Sequence, residues 1–159
     1  MTVLKLIRQA ENSVLIIGQA LQRFAVKSFV STEPFLKAEI QLLDSTLPVV
    51  DGKQWEAQIR NLRDNAMKIV ALNPEIPEQA RVVILNIQEP GQLADFLATN
   101  LQIDVAQKQN LLEELDIEKR VRAVQTYIAA QLEISEIQDR LQKDVASQFS
   151  DAQRRAYLR

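Results

Sequence analysis

Hydrophobic and polar positions alternate along the first fifty residues in the short runs that are typical of β-strands. Residues 3–8 and 14–18 are two apolar runs with a few polar residues between them, which predicts a β-hairpin. A third strand is predicted over residues 24–30. Pro34 separates it from a fourth over residues 35–43, because proline cannot donate a hydrogen bond to a sheet. In that fourth strand every second residue is apolar, the period of a half-buried antiparallel strand.

The period becomes helical after a linker over residues 44–52. Apolar residues then recur at steps of three and four, and Pro74 ends the first such stretch. Asp104 has the position and the side chain of a helix N-cap. The predicted helices in this part of the chain cover residues 55–73, 77–87, 92–101 and 105–114.

The last segment, residues 116–159, contains no glycine and no proline. As one helix it would be about 65 Å long. Its apolar stripe changes phase between Leu132 and Ile134, and we expect its second half to project from the core or to pack on another chain. The predicted fold is therefore α+β. A small, incomplete antiparallel β-lobe of about four strands (1–50) precedes a helical lobe (51–159), which ends in one long projecting helix (116–159).

Composition excludes several classes of protein. The chain has 159 residues with no histidine, no cysteine and three glycines. Zinc fingers, thiol nucleophiles, disulfides, His-centred catalysis and glycine-rich phosphate loops are thereby excluded. A net charge of −2, a pI near 5.3 and 5% aromatic residues argue against nucleic-acid binding. No apolar run approaches the roughly 20 residues that span a bilayer. We expect a cytoplasmic protein without a membrane partner.

No group of residues in the sequence is a strong candidate for a catalytic site. Acidic pairs lie beside lysine or arginine, and Glu136–Arg140 and Asp139–Lys143 have the i,i+4 spacing of surface ion pairs. No sequence context singles out a Ser-Lys dyad. The basic spots at residues 120–122 and 154–155 are interpreted as solvated helix faces. We predict no catalytic residue and no metal ligand. A small carboxylate enzyme remains an alternative, which would require a deep pocket with two perturbed carboxylates.

Two apolar groups are candidates for contact with partners. Phe24, Phe29 and Phe35 either form sheet core or line an apolar groove for extended polypeptide near the turn at residues 31–34. For polypeptide contact we predict Phe29, Phe35 and Leu36. The second group lies on the polar end of the long helix, where we predict contact with another subunit or a following domain. Its members are Val145, Phe149, Tyr157 and Leu158.

Five short segments form a recognisable series along the chain: residues 18–24 (GQALQRF), 33–40 (EPFLKAEI), 89–95 (EPGQLAD), 108–113 (KQNLLE) and 153–159 (QRRAYLR). Similar segments occur in the same order in the N-terminal domain of the Lon ATP-dependent protease family. Leu115, Asp116 and Arg120 match further positions of that pattern. The chain therefore resembles this family over nearly its whole length.

The resemblance implies a non-catalytic domain that recognises unfolded, damaged or degron-bearing polypeptide and helps to organise a hexamer through its long helix. It implies a parent with an AAA+ module that uses ATP and Mg²⁺, and with a Ser-Lys protease domain. Arg155 and Ala156 depart from the acidic and aromatic residues of the family's last motif, and the family's first strands are absent. The chain is thus expected to be a fragment of such a domain, with no cofactor of its own.

The alternative to this resemblance is a stand-alone helical or coiled-coil adaptor with no link to proteolysis. In either case an incomplete sheet leaves unpaired edges, which favour association. We therefore expect some pairing of chains at residues 3–8 or 35–43.

Overall fold

The computed structural model describes residues 2–10, 13–48, 52–73 and 76–157, and all their side chains except those of residues 9, 10 and 148–157. The backbone divides into two compact units, Met1–Thr46 and Leu47–Arg159. Within the described ranges the first unit contains four strands and the second contains five helices. The predicted α+β class is confirmed.

The strands form two separate antiparallel hairpins. Strand β1 (Thr2–Ala10) pairs with β2 (Ser13–Gln19), and β3 (Arg23–Ser31) pairs with β4 (Lys37–Leu43). β-Branched and aromatic residues, which favour extended backbone, are frequent in β1, β2 and β3 but not in β4. The predicted first hairpin is confirmed. The fourth strand begins two residues later than predicted, after a turn in which the Ser31 hydroxyl donates to the Glu33 carbonyl at 2.6 Å.

The second unit contains the predicted helices, with boundaries within a few residues of those expected. At the start of the fourth helix, the Asp104 carboxylate accepts from the Gln107 N–H at 2.7 Å. The Gln107 side chain accepts in return from the Asp104 N–H at 3.0 Å. This capping box confirms the predicted N-cap. The helices are α1 (Gly52–Leu72), α2 (Gln79–Asn86), α3 (Pro90–Asn100), α4 (Val105–Glu113) and α5 (Ile117–Tyr157).

The core of this unit lies between α1, α3 and the first half of α5. Trp55 packs against its edge, as its helical phase predicts. Arg63 joins α1 to the end of α2, because its guanidinium donates to the carbonyls of Leu85 at 3.1 Å and Ile87 at 2.9 Å. These bonds satisfy carbonyls that a helix end leaves without an internal partner. The buried apolar residues are Leu62, Ala66, Ile69, Ile84, Leu93, Ala94, Leu97, Leu101, Leu111, Val121, Val124 and Ile128.

Candidate polypeptide-binding surface

One face of the β3–β4 hairpin is apolar throughout. Residues that pair across an antiparallel ladder lie on the same face, and successive residues of a strand lie on opposite faces. The cross-strand pairs Phe24–Leu42, Val26–Ile40 and Phe29–Ala38 therefore share one face. We call these six residues the apolar face. Its five large side chains are between 46% and 62% exposed.

A break in the ladder puts Phe29 on this face. The register shifts between Val26 and Ser28, so that Lys27 is an extra residue in β3. If β3 had no bulge at Lys27, strict alternation from Val26 would place Ser28 on the apolar face and Phe29 on the opposite face. The shift instead pairs Ser28 with Glu39 and Phe29 with Ala38. The opposite face thereby collects most of the polar residues of the hairpin.

The three residues predicted to contact polypeptide are all exposed, and the structure separates them. Phe29 is 62% exposed within the apolar face. Phe35 and Leu36 lie in the turn before β4, at 61% and 63% exposure. The Lys37 ammonium lies 4.8 Å from the centre of the Phe35 ring, a cation–π contact. Because Lys37 pairs with Ser31 on the polar face, Phe35 lies against a residue of the face opposite Phe29.

Sequence reasoning missed most of the apolar face. Val26, Ile40 and Leu42 were not predicted as contact residues, although the alternation in β4 marks two of them. The half-buried β4 expected from that alternation is wrong for this structure. Ile40 is 46% exposed and Leu42 is 60% exposed. The period identifies the face correctly, but burial depends on what packs against it.

The β1–β2 hairpin carries apolar residues on both faces. The pairs Ile7–Leu15 and Lys5–Ile17 lie on one face, and Leu6–Ile16 lies on the other. Leu6 and Ile16 are 57% and 53% exposed. Strands that are apolar on both faces are typical of a sheet covered on both sides. This hairpin therefore exposes apolar side chains on both faces, whereas β3–β4 exposes them mainly on one.

The second half of α5 has a row of exposed apolar side chains. We call Ile134, Ile137, Leu141 and Val145 the distal stripe, and each is between 49% and 58% exposed. Val145 is the one member of the predicted assembly group whose side chain is described. The side chains of Phe149 and Tyr157, and the whole of Leu158, lie outside the described residues. The ion pair predicted for Lys143 and Asp139 is present at 2.7 Å.

The interpretation of residues 120–122 as a solvated face is wrong for Arg120. Its side chain is 1% exposed, and its Nη1 lies 3.5 Å from Oδ1 of Asp95 in α3. The interpretation holds for Arg122, which is exposed and pairs with Glu118. Helix residues two positions apart lie about 200° apart around the axis, so Arg120 can enter the core while Arg122 stays in water. The side chains at 154–155 lie outside the described residues.

The grooves along α1 are open, and most of the residues that line them are polar or charged. One groove of about 450 Å³ is lined by Asn61, Asp64, Lys68 and Arg81 among others. In the described part of the chain the buried charged residue is Arg120, so no carboxylate pair lies in the core there. No cluster of three His, Cys, Asp or Glu side chains that could hold a metal occurs among these residues either. No helix in the same ranges is long and apolar enough to cross a bilayer.

Comparison with known proteins places these features in a family. Residues 1–130 match the ATP-dependent protease La (LON) substrate-binding domain. The chain is 34% identical to a Lon protease of Dictyoglomus thermophilum over 99% of its length. It is 33% identical to a Lon protease of Syntrophus aciditrophicus, also over 99%. In both cases it spans about a fifth, 20%, of the relative's own length.

Proposed function

The chain belongs to the Lon substrate-binding domain family, and from that premise we propose that it recognises unfolded or degron-bearing polypeptide for an ATP-dependent Lon-type serine protease. We propose further that it supports the organisation of a hexamer. Family membership removes the alternative of an adaptor unrelated to Lon. In this proposal ATP, Mg²⁺ and the catalytic Ser-Lys pair belong to the AAA+ and protease parts of a cytoplasmic parent. The present chain is the non-catalytic part.

The observation that carries the proposal is the exposed apolar face of β3–β4. Apolar patches of this kind on a protein surface are characteristic of interaction sites. An unfolded protein differs from a folded one chiefly in offering apolar side chains and unpaired backbone groups. The apolar face can bind the apolar side chains of the unfolded protein. The outer edges of a two-stranded sheet can pair with its backbone groups, because an extended segment can add to the sheet as a further strand.

The chemistry of this face suits a broad range of polypeptides. Its contacts are with aromatic and aliphatic side chains, which have no directional hydrogen-bond requirement. Such a surface discriminates apolar segments from polar ones without reading a particular sequence. A single face of six residues buries little area, so each contact is weak. In a hexamer several copies would engage one chain, and the effective concentration would raise the overall affinity.

The assembly part of the proposal rests on α5. One face of its first half packs in the core of the second unit, and its second half carries the distal stripe. Exposed apolar residues at coiled-coil spacing along a helix are typical of a helix that packs on another. We therefore propose the distal stripe as the contact through which this unit is positioned in the assembled parent.

The substrate proposal is tested by titrating fluorescein-labelled unfolded casein with the full 159-residue chain and measuring anisotropy. Phe29→Glu places a charge on the apolar face, and we expect it to weaken binding at least about tenfold. Gln41→Glu places the same charge on the opposite face of the same hairpin, and binding should not change. Equal affinity of both variants would show that casein does not use the apolar face. Circular dichroism would check that both retain their fold.

A further inference from the structure

The two strands of the β3–β4 hairpin differ in the regularity of their outer edges. All seven residues of β4 (Lys37–Leu43) have a partner in the ladder, and none is skipped. Strand β3 skips Lys27 at its first register shift and Val30 at its second. A bulge bends and twists the strand that carries it, which disrupts the row of backbone groups along its outer edge. The regular edge of this hairpin is therefore that of β4.

The outer edge of β4 offers backbone groups for pairing. Within the described residues β4 has a single neighbouring strand, β3. In an antiparallel ladder every second residue of such a strand turns its N–H and C=O away from the neighbour. Strand β4 contains no proline, so none of these donors is missing, and residues 37–42 are exposed. An extended segment can therefore pair along the whole strand.

Resting on the polypeptide-binding role proposed above, we propose that the bound segment adds antiparallel to the β4 edge as a strand whose apolar and polar residues alternate. Antiparallel pairing is the more stable direction. An added strand shares the pleat of β4, so its side chains alternate between the two faces of the sheet. One row lies beside Ala38, Ile40 and Leu42, and it widens the apolar face from two strands to three.

The other row of the added strand lies beside polar side chains. Lys37, Glu39 and Gln41 alternate with the apolar residues of β4, and all three are exposed. Cross-strand pairs of opposite charge are stabilising, so Lys37 and Glu39 favour charged or polar residues in this row. A segment that is apolar at every position gains little from its second row. The β4 edge therefore selects alternation, and not apolar content alone.

Alternating segments are those that a folded protein keeps paired and half-buried as strands of its own sheets. Unfolding releases their backbone groups and their apolar row together, so a site that binds both distinguishes an unfolded protein from its folded form. An amphipathic helix satisfies its backbone groups internally and can use the apolar face alone. The β4 edge therefore favours segments that form strands in the folded substrate over segments that form helices.

The sequence pattern is tested with two fluorescein-labelled peptides of about ten residues and identical composition. In one, apolar and polar residues alternate, and a lysine precedes a glutamate in the polar row to face Glu39 and Lys37. In the other, the apolar residues follow the helical period. Anisotropy titration with the full 159-residue chain should show at least about fivefold tighter binding of the alternating peptide. Equal affinities, or no binding of that peptide at about 1 mM while casein binds, would overturn the inference.

The backbone contacts are tested by N-methylation of the alternating peptide, which removes N–H donors. Methyl groups on one set of alternate residues block the edge that pairs with β4, and methyl groups on the other set point to solvent. One set should weaken binding at least about tenfold, and the other less than about twofold. The two methylated peptides control for each other, because they carry the same number of methyl groups. Equal effects of both sets would show that the backbone does not pair.

The choice of edge is tested by disulfide formation, since the wild-type chain has no cysteine. Gln41 and Ala25 pair across the hairpin, so Gln41→Cys and Ala25→Cys place a thiol on the same face of β4 and β3. A strand added to β4 lies about 5 Å from residue 41 and about 10 Å from residue 25, and a disulfide spans only the shorter distance. Among peptides with a cysteine at each polar position in turn, at least one should crosslink to Gln41→Cys and none to Ala25→Cys.

Crosslinking through residue 25 alone would place the segment on β3 and overturn the inference. A self-crosslink of the Gln41→Cys chain that excess peptide does not reduce would also overturn it, because a second copy would then occupy the edge. Neither result bears on whether casein binds the apolar face, which Phe29→Glu measures. If Phe29→Glu leaves casein binding unchanged, the proposed function fails, whatever the peptides show.

Discussion

Arg120 in α5 and Asp95 in α3 form an ion pair, with Nη1 and Oδ1 3.5 Å apart, and the two ends differ sharply in their environment. The arginine is 1% exposed, whereas the aspartate is 40% exposed. Asp95 lies in one of the five segments on which the family resemblance depends, and Arg120 is one of the further matching positions. The aspartate therefore stabilises a buried positive charge from the rim of the core, and joins the third helix to the fifth.

Removing the aspartate should be costly because it leaves the arginine charge buried with less compensation. We expect Asp95→Ala to lower the free energy of unfolding by about 2 kcal/mol, less than for a fully buried pair because water reaches the carboxylate. Replacing both residues, as Asp95→Ala with Arg120→Leu, should recover part of that loss. Urea denaturation measures both. Asp64→Ala, an exposed aspartate on α1, is the control and should change stability by less than about 0.5 kcal/mol.

Gly91 in α3 should tolerate alanine but not a larger residue. A Cβ built there would lie 3.5 Å from the Arg120 guanidinium and 3.5 Å from Ile117, which are ordinary contacts. Because its φ is not positive and alanine favours helix, Gly91→Ala should stabilise the chain by up to about 1 kcal/mol. Gly91→Leu would drive its outer carbons into both neighbours and cost about 1–3 kcal/mol. Equal melting temperatures for the two variants would contradict this account.

The capping box at Asp104 provides a comparison between two helix starts in the same unit. Asp104→Ala removes the acceptor for the Gln107 N–H and should cost about 1 kcal/mol. Glu89, the N-cap of α3, makes no side-chain cap hydrogen bond. Glu89→Ala should therefore change stability by less than about 0.5 kcal/mol. Denaturation curves of the two variants check the difference, and a larger loss for Glu89 would count against it.

The extra residue in β3 gives a test of the apolar face that changes no side chain on it. Deleting Lys27 should make the ladder regular from Val26 to Phe29 and leave Phe29 paired with Ala38, so casein binding should persist. Deleting Ala25 instead should shift Phe24 to the polar face and weaken binding. Anisotropy titrations compare the two deletions directly. If Lys27 deletion abolished binding while Ala25 deletion did not, the assignment of faces would be wrong.

Much of the fold follows from periodicity, because strand and helix periods differ and prolines and Asp104 mark the boundaries. The position of Phe29 does not follow from it, since one extra residue reverses the alternation and Lys27 has no side-chain signature of a bulge. The burial of Arg120 also cannot be predicted from the residues next to it in the sequence. It depends on Asp95, twenty-five residues earlier, lying beside it after folding. The predicted contacts of Phe29, Phe35, Leu36 and the end of α5 remain predictions.

The buried face of the first half of α5 and the distal stripe lie on one uninterrupted helix, with no glycine or proline from residue 116 onward. The direction in which the distal stripe faces is therefore fixed relative to the buried face. Inserting a single residue between Leu132 and Ile134 would advance everything beyond it by about 1.5 Å and turn it by about 100°. The angle between the core and whatever binds the distal stripe is therefore set by the number of residues between them. A change in chain length there would alter the geometry of an assembly while leaving every contact residue in place.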